Sequence, residues 1–200
     1  MAEVAHAFGP GPVTGFVRPQ PADDPTAAGS QGAGIVLSEG VSVTVHPTDA
    51  PEVTLNGEAV RIEAVARVLE ALGAEASVRG VSDLPLGAGF GVSGAMALGA
   101  ALACNVAFDR QLSTNELVTV AHGAAVQAGT GLGDVVAQAR GGLTIRLEPG
   151  GPHSNVLDGV PARERIEYLT LGERPTDDTL EGADDELDEA VSEMLADDNV

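Results

Sequence analysis

The segment Pro85-Leu-Gly-Ala-Gly-Phe-Gly-Val-Ser-Gly-Ala95 sets Gly87, Gly89 and Gly91 at alternate positions and runs into an apolar stretch that begins near Val92. Glycine lets a backbone turn sharply and approach a ligand closely. A helix opening at Val92 would aim its free N–H groups and positive dipole end out of the loop, which suits an anion such as phosphate. Ser93 falls in that first turn, where a hydroxyl reaches a phosphate oxygen or its metal ion. The spacing is not the dinucleotide fingerprint, which needs Gly-x-Gly-x-x-Gly, nor a P-loop, because no Gly-Lys-Ser/Thr follows. The residues alone leave two readings: a phosphate cradle over Gly87, Ala88, Gly89, Phe90, Gly91, Val92, Ser93, Gly94 and Ala95, or a glycine-rich connection to a tightly packed helix.

A second segment, Thr130-Gly-Leu-Gly-Asp134-Val-Val-Ala-Gln-Ala-Arg140-Gly-Gly142, puts one aspartate after a Gly-x-Gly turn and before an apolar helix start. Asp134 there can act as a base, a metal ligand or a helix N-cap. Arg140 can bind a carboxylate or phosphate with two parallel hydrogen bonds. A third segment, Gly9-Pro-Gly-Pro-Val-Thr14-Gly-Phe16, reads as a tight turn exposing Thr14. His6, His46, His122 and His153 show no pairing at metal-ligand spacing, and His122 reads as a core or surface residue of a helix.

These segments need elements to hold them. Residues 1–34, rich in glycine and proline, read as short extended pieces joined by turns. Val41–Val45 alternates as a strand, and Val53–Leu55 meets the tight-turn pair Asn56-Gly57. Residues 59–72 carry Ile62, Val65, Val68, Leu69 and Leu72 at helical spacing, with Gly73 as the stop. Ala76–Val81 reads as a strand, 92–104 as a helix buried on several sides, and Ser113 with Glu116 as a capping box opening a helix to Gln127. Leu143–Leu147 and Ile166–Leu171 read as further strands. Runs of strands and helices without a regular βα rhythm predict an α+β fold. The chain divides at about residue 172, with 173–200 an acidic, solvated tail whose Leu187, Val191, Met194 and Leu195 would otherwise line one face of a short helix.

Composition bounds the possibilities. The 200 residues hold 30 acids and 10 bases, all of them arginine, for a formal charge of −20. Such a surface argues against nucleic acid or an anionic membrane as partner. The acid excess without lysine predicts a protein suited to high salt, where the Debye length shrinks to roughly 3 Å at 1 M and the carboxylates no longer repel. Cys104, the single cysteine, excludes an internal disulfide. No apolar run approaches about 18 residues, and no secretion signal is recognisable, so the expectation is a cytoplasmic protein.

Taken together and in this order, the segments resemble the GHMP kinases, the superfamily of galactokinase, homoserine kinase and mevalonate kinase. Pro85–Ala95 resembles its phosphate loop and Thr130–Gly142 the segment with the catalytic aspartate. More closely, Pro10–Phe16, Gly29-Ser-Gln-Gly-Ala-Gly34 and Thr130–Gln138 are similar to the archaeal pantoate kinase subfamily, so that the resemblance covers roughly residues 4–172. It implies an α+β fold, with residues 1–172 forming an N-terminal lobe like domain 2 of ribosomal protein S5 and most of the C-terminal lobe missing. It also implies phosphorylation of (R)-pantoate by ATP to 4-phosphopantoate, a step toward coenzyme A. In that frame Pro85 and the Gly87–Ala95 backbone wrap the ATP phosphates and Ser93 helps hold Mg²⁺. Asp134 orients or deprotonates the acceptor hydroxyl, and Thr14, Ser30 and Arg140 lie on the substrate side. Three departures stand out. Pro12 replaces a histidine usual in the subfamily, Ala125 stands where GHMP kinases often present a metal-ligating glutamate, and the second lobe is absent. They leave an alternative, a non-catalytic relative that binds nucleotide or a partner, with an apolar face open to self-association or to a partner.

Overall fold

The computed structural model describes residues 3–161 and 165–168. Among these residues, seven strands form one sheet and four helices accompany it. In chain order the elements are β1 (Ala5–Gln20), β2 (Gly29–Pro47), β3 (Val53–Leu55), β4 (Glu58–Ala59), α1 (Glu63–Ala71), β5 (Ala76–Val81), α2 (Val92–Ala107), α3 (Thr114–Gln127), α4 (Asp134–Arg140), β6 (Leu143–Glu148) and β7 (Val156–Val160). The path β4-β3-β5-β2-β6-β7 is antiparallel except between β3 and β5, with β1 paired antiparallel to β2.

Strand β2 organises the sheet because its two halves have different neighbours. Gly32–Ile35 pairs with Arg146–Leu143 of β6, and Ser42–Pro47 pairs with Val81–Ala76 of β5. Between them the sheet parts. The first 34 residues are therefore not short pieces joined by turns, as expected, but the whole of β1 and the start of β2. The prolines are accommodated by irregularities at Pro10/Pro12 and Thr14/Phe16, and by the absence, among the described residues, of a second partner strand on the far side of β1. A proline lacks only the N–H that such an edge leaves unused.

Helix α2 lies across β1 and β2, flanked by α1 and α3. Twelve of its sixteen residues are buried, which makes it the central helix, as its uniformly small, apolar sequence predicts. The packing is close enough that a Cβ on Gly9 would overlap the backbone of Ala95. Helix α3 opens with the expected capping box: Ser113 Oγ accepts from the Glu116 N–H, and Glu116 Oε2 accepts from the Ser113 N–H at 2.8 Å.

Other boundaries move for local reasons. The helix expected over 59–72 starts at Glu63, because Glu58 and Ala59 return from the Asn56-Gly57 turn to pair with Leu55 and Thr54. The helix expected over 92–104 continues to Ala107. Strand β7, a short Val-Leu-Asp-Gly-Val run with no alternation, was not anticipated; it exists because β6 offers it an edge. Residues 165–168 hold no strand, and the rest of the strand expected over 166–171 and the tail over 173–200 lie outside the described residues. No helix among the described residues is long and apolar enough to cross a membrane.

Candidate active site

The glycine run forms an irregular loop between β5 and α2. Gly87, Gly89 and Gly91 take φ of 79°, 83° and 53°, the left-handed region that side-chain-bearing residues rarely adopt. Pro85, Gly87 and Gly89 are exposed, Ala88 is half-buried, and a Cβ on Gly89 would meet nothing within 4 Å, so this side of the loop is open. The loop is tied at its entrance by Asn56, whose side-chain amide bonds both the N–H and the C=O of Ser82 at 2.9 Å. At its exit Gly91 is the N-cap of α2, with no side-chain cap and no acidic residue in the helix's first turn. The N–H groups of that turn are therefore left for a ligand. Phe90 is turned inward, its ring 4.7 Å from that of Tyr168, while Val92, Gly94 and Ala95 are packed inside. The buried Ser93 Oγ has no hydrogen-bond partner.

Three other segments meet this loop. The Pro12 ring of β1 lies 2.7 Å from where a Cβ on Gly91 would stand. From α4, Gln138 Nε2 donates to the Gly91 carbonyl at 3.0 Å, and Asp134 Cβ lies 3.7 Å from the Cβ position of Gly94. The hairpin start Gly29-Ser30 packs on Leu132-Gly133, with Ser30 Oγ 3.0 Å from the Cβ position of Gly133. The glycine loop, Asp134 and Ser30 thus lie in neighbouring segments.

Asp134 is the first residue of α4, and the N-cap position belongs to Gly133, so its carboxyl is not spent on capping. The residue is half-buried, and desolvation by the protein around it raises its pKa above the ordinary 3.8, while the nearby guanidinium of Arg146 pulls it partly back. Burial lowers the Arg146 pKa in turn, and Asp134 opposes that. The two are not among the ion pairs of the described residues.

Arg146 is the residue the sequence reading missed. It is 4% exposed, and its Nε has no hydrogen-bond partner. Gly133 makes room for it: a Cβ there would come within 2.9 Å of Arg146 Nε. A buried guanidinium nitrogen without a hydrogen-bond partner is costly to a fold. The alternation of Leu143–Glu148 pointed the other way, since it makes the apolar set the natural inward face, whereas Thr144 and Arg146 are the buried pair. Arg140, expected on the substrate side, is exposed at the C-terminal end of α4, about 9 Å along the helix from Asp134. Thr14 is exposed on β1, paired with Gly34 beside the irregularity at Thr14/Phe16. Ala125 is buried in α3 at 1% exposure, and among the described residues no group of three His, Cys, Asp or Glu is placed to hold a metal ion.

The loop leaves the backbone N–H groups of the first turn of α2 uncapped near the Asp134 carboxyl, and residues 59–142 match the GHMP kinases N terminal domain. That part of the chain is thus similar to the GHMP kinase superfamily. The chain is 35% identical to the pantoate kinase of Methanospirillum hungatei, over 89% of this chain and 64% of that protein. It is 37% identical to the pantoate kinase of Thermococcus kodakarensis, over 88% and 63%. A solved structure described as a phosphotransferase related to the CoA biosynthesis pathway superposes with a TM-score of 0.73 at 36% identity, over 79% of this chain and 57% of that one. The chain spans less than two-thirds of the length of the curated relatives it matches.

Proposed function

We propose that this chain carries the phosphoryl-transfer site of a pantoate kinase, which moves the γ-phosphoryl group of ATP to the hydroxyl of (R)-pantoate. The observation that carries the reading is the convergence of the open glycine loop, Asp134, Ser30 and Arg146 on one cluster, joined to the likeness to proteins named pantoate kinase. In this reading the 87–95 backbone receives the nucleotide phosphates at the start of α2, where charge neutralisation and alignment supply most of the catalysis. Arg146, with Ser30 beside it, takes the carboxylate of the acceptor as a charge-assisted pair. Asp134, its proton affinity raised by desolvation, accepts the hydroxyl proton as the new O–P bond forms and the bond to ADP breaks.

The donor set fits a magnesium ion carried in by the nucleotide, because this ion is commonly held by substrate phosphates and one or two protein oxygens. Ser93 Oγ, buried and without partner, is the protein oxygen that would hold it. When bound, Mg²⁺ neutralises charge on the transferring phosphoryl group. Ala125 favours the second reading, a relative that binds nucleotide without turnover, because it supplies no carboxylate from α3. The charge of −20 without lysine supports work in concentrated salt.

The test is ADP release from Mg-ATP with and without (R)-pantoate, in about 2–3 M KCl and in dilute buffer, with the product followed by phosphorus NMR. The expected result is pantoate-dependent release and a new phosphomonoester signal, stronger in concentrated KCl. Folded protein that binds ADP and releases none would establish the second reading. Unfolding in the concentrated salt would overturn the high-salt assignment.

A further inference from the structure

Helix α4 presents two polar side chains one turn apart to the start of α2, and the reading above uses only Asp134. We propose that Gln138 is a positioning residue that holds the phosphate loop in alignment with Asp134. The inference rests on the kinase reading and names the side chain through which the two halves of that site are aligned.

Gln138 is 3% exposed, and its Nε2 donates to the Gly91 carbonyl at 3.0 Å. That carbonyl also accepts the 2.9 Å bond from Ala95 N–H that opens α2. Gln138 therefore grips the loop at the peptide where it becomes helix and where the free N–H groups begin. Only the amide nitrogen can serve a carbonyl, so the orientation of the side chain is fixed. Its Oε1 is then turned toward Gly94, 3.2 Å from the Cβ position there, buried and without a partner.

Stability does not explain this choice. A leucine or methionine would fill the same space without burying an unpartnered amide oxygen. What the apolar residues lack is the donor to Gly91. Opposite Gln138, the Pro12 ring closes the other side of Gly91, whose φ of 53° and crowding exclude a side chain. Gly91 is thus clamped between β1 and α4. Because Gln138 and Asp134 share a face of one short helix, a shift of α4 moves carboxylate and loop together. Reacting groups tolerate little relative displacement, and a misplacement of about 1 Å can cost on the order of a hundredfold in rate.

Gln138→Leu keeps the volume and removes the donor; Gln138→Glu keeps the shape and donates only when protonated. With the leucine variant folded by circular dichroism, kcat is expected to fall at least about tenfold and KM for Mg-ATP to rise similarly, with KM for the acceptor within about twofold. The glutamate variant should recover kcat on acidification, adding a limb to the pH profile that the wild type lacks. A merely structural role would lower the melting temperature and leave kcat and KM per folded molecule unchanged, and that result overturns the proposal. A second readout needs no turnover. Amide exchange of residues 87–95 in the nucleotide-free leucine variant should accelerate at least about tenfold while α1 and β5 keep wild-type rates. Unchanged exchange there overturns the proposal even in an active enzyme. Accelerated exchange in a chain whose wild type transfers no phosphate supports the coupling and overturns the kinase reading alone.

Discussion

From Met96 to Cys104, helix α2 meets α1, α3 and the sheet with apolar or small side chains; its first turn meets Pro12, Asp134 and Gln138. Six buried side-chain polar atoms among the described residues have no partner, and four of them belong to the second region: Ser30 Oγ, Ser93 Oγ, Gln138 Oε1 and Arg146 Nε. Native folds pair nearly all buried polar groups, so orphans gathered in one place mark where a ligand rather than the protein completes the bonding. One helix thus serves two purposes. Its body stabilises the lobe, and its beginning is left chemically incomplete.

The sharpest way to break this contrast is at Asp134. Asp134→Asn should reduce kcat by at least about a thousandfold while ADP binding and the fold persist, because the amide keeps the shape but cannot accept the proton. Retained turnover would place the base elsewhere. In the wild type the acid limb of the pH–rate profile should lie above the ordinary aspartate value of 3.8, since burial raises the pKa of Asp134; a limb at or below it would contradict the desolvation.

Gly91→Ala tests the loop itself. The left-handed φ and the Pro12 ring leave no room for a methyl group, and strain of about 1–3 kcal/mol is expected to weaken ADP binding by roughly 10–100-fold in calorimetry. Equal affinity would show that the loop does not hold the nucleotide.

Ser113→Ala addresses the other region. Loss of the α3 cap should lower stability by about 1 kcal/mol in denaturant titration and leave kcat untouched. A change in kcat would link the packed layer to the site.

The smallest effect concerns His122, whose Nε2 bonds the Ala28 carbonyl at 2.8 Å and whose pKa burial pushes below 6.5. As pH falls below 6.5 the unfolded chain takes up a proton that the fold excludes, so stability present above 6.5 is lost on acidification. His122→Gln should flatten that part of the pH dependence of the melting temperature, and an unchanged slope would assign it to other groups.

What the sequence made legible follows the strength of local signals. The Ser113/Glu116 box, the Asn56-Gly57 turn and the small-residue helix after Gly91 are short-range patterns, and the structure forms each of them. The β1–β2 hairpin was hidden because its prolines argue against strands unless the chain lies at an edge, and an edge is a property of the whole sheet. Arg146 was hidden for a related reason. In Leu-Thr-Ile-Arg-Leu-Glu the apolar set is the natural inward face, yet Thr144 and Arg146 are the buried pair, because the space beside Gly133 and Ser30 lies on their side.

The central claim, that Arg146 and Ser30 beside Asp134 receive the carboxylate of an anionic acceptor, is tested most directly by comparing (R)-pantoate with its uncharged primary amide on wild type and Arg146→Met. The account predicts that the wild type prefers the acid by at least about a hundredfold in kcat/KM, the magnitude of a buried charge pair. In the variant that preference should collapse to within a fewfold while KM for ATP is kept. An Arg146→Met enzyme that still discriminates acid from amide would contradict it.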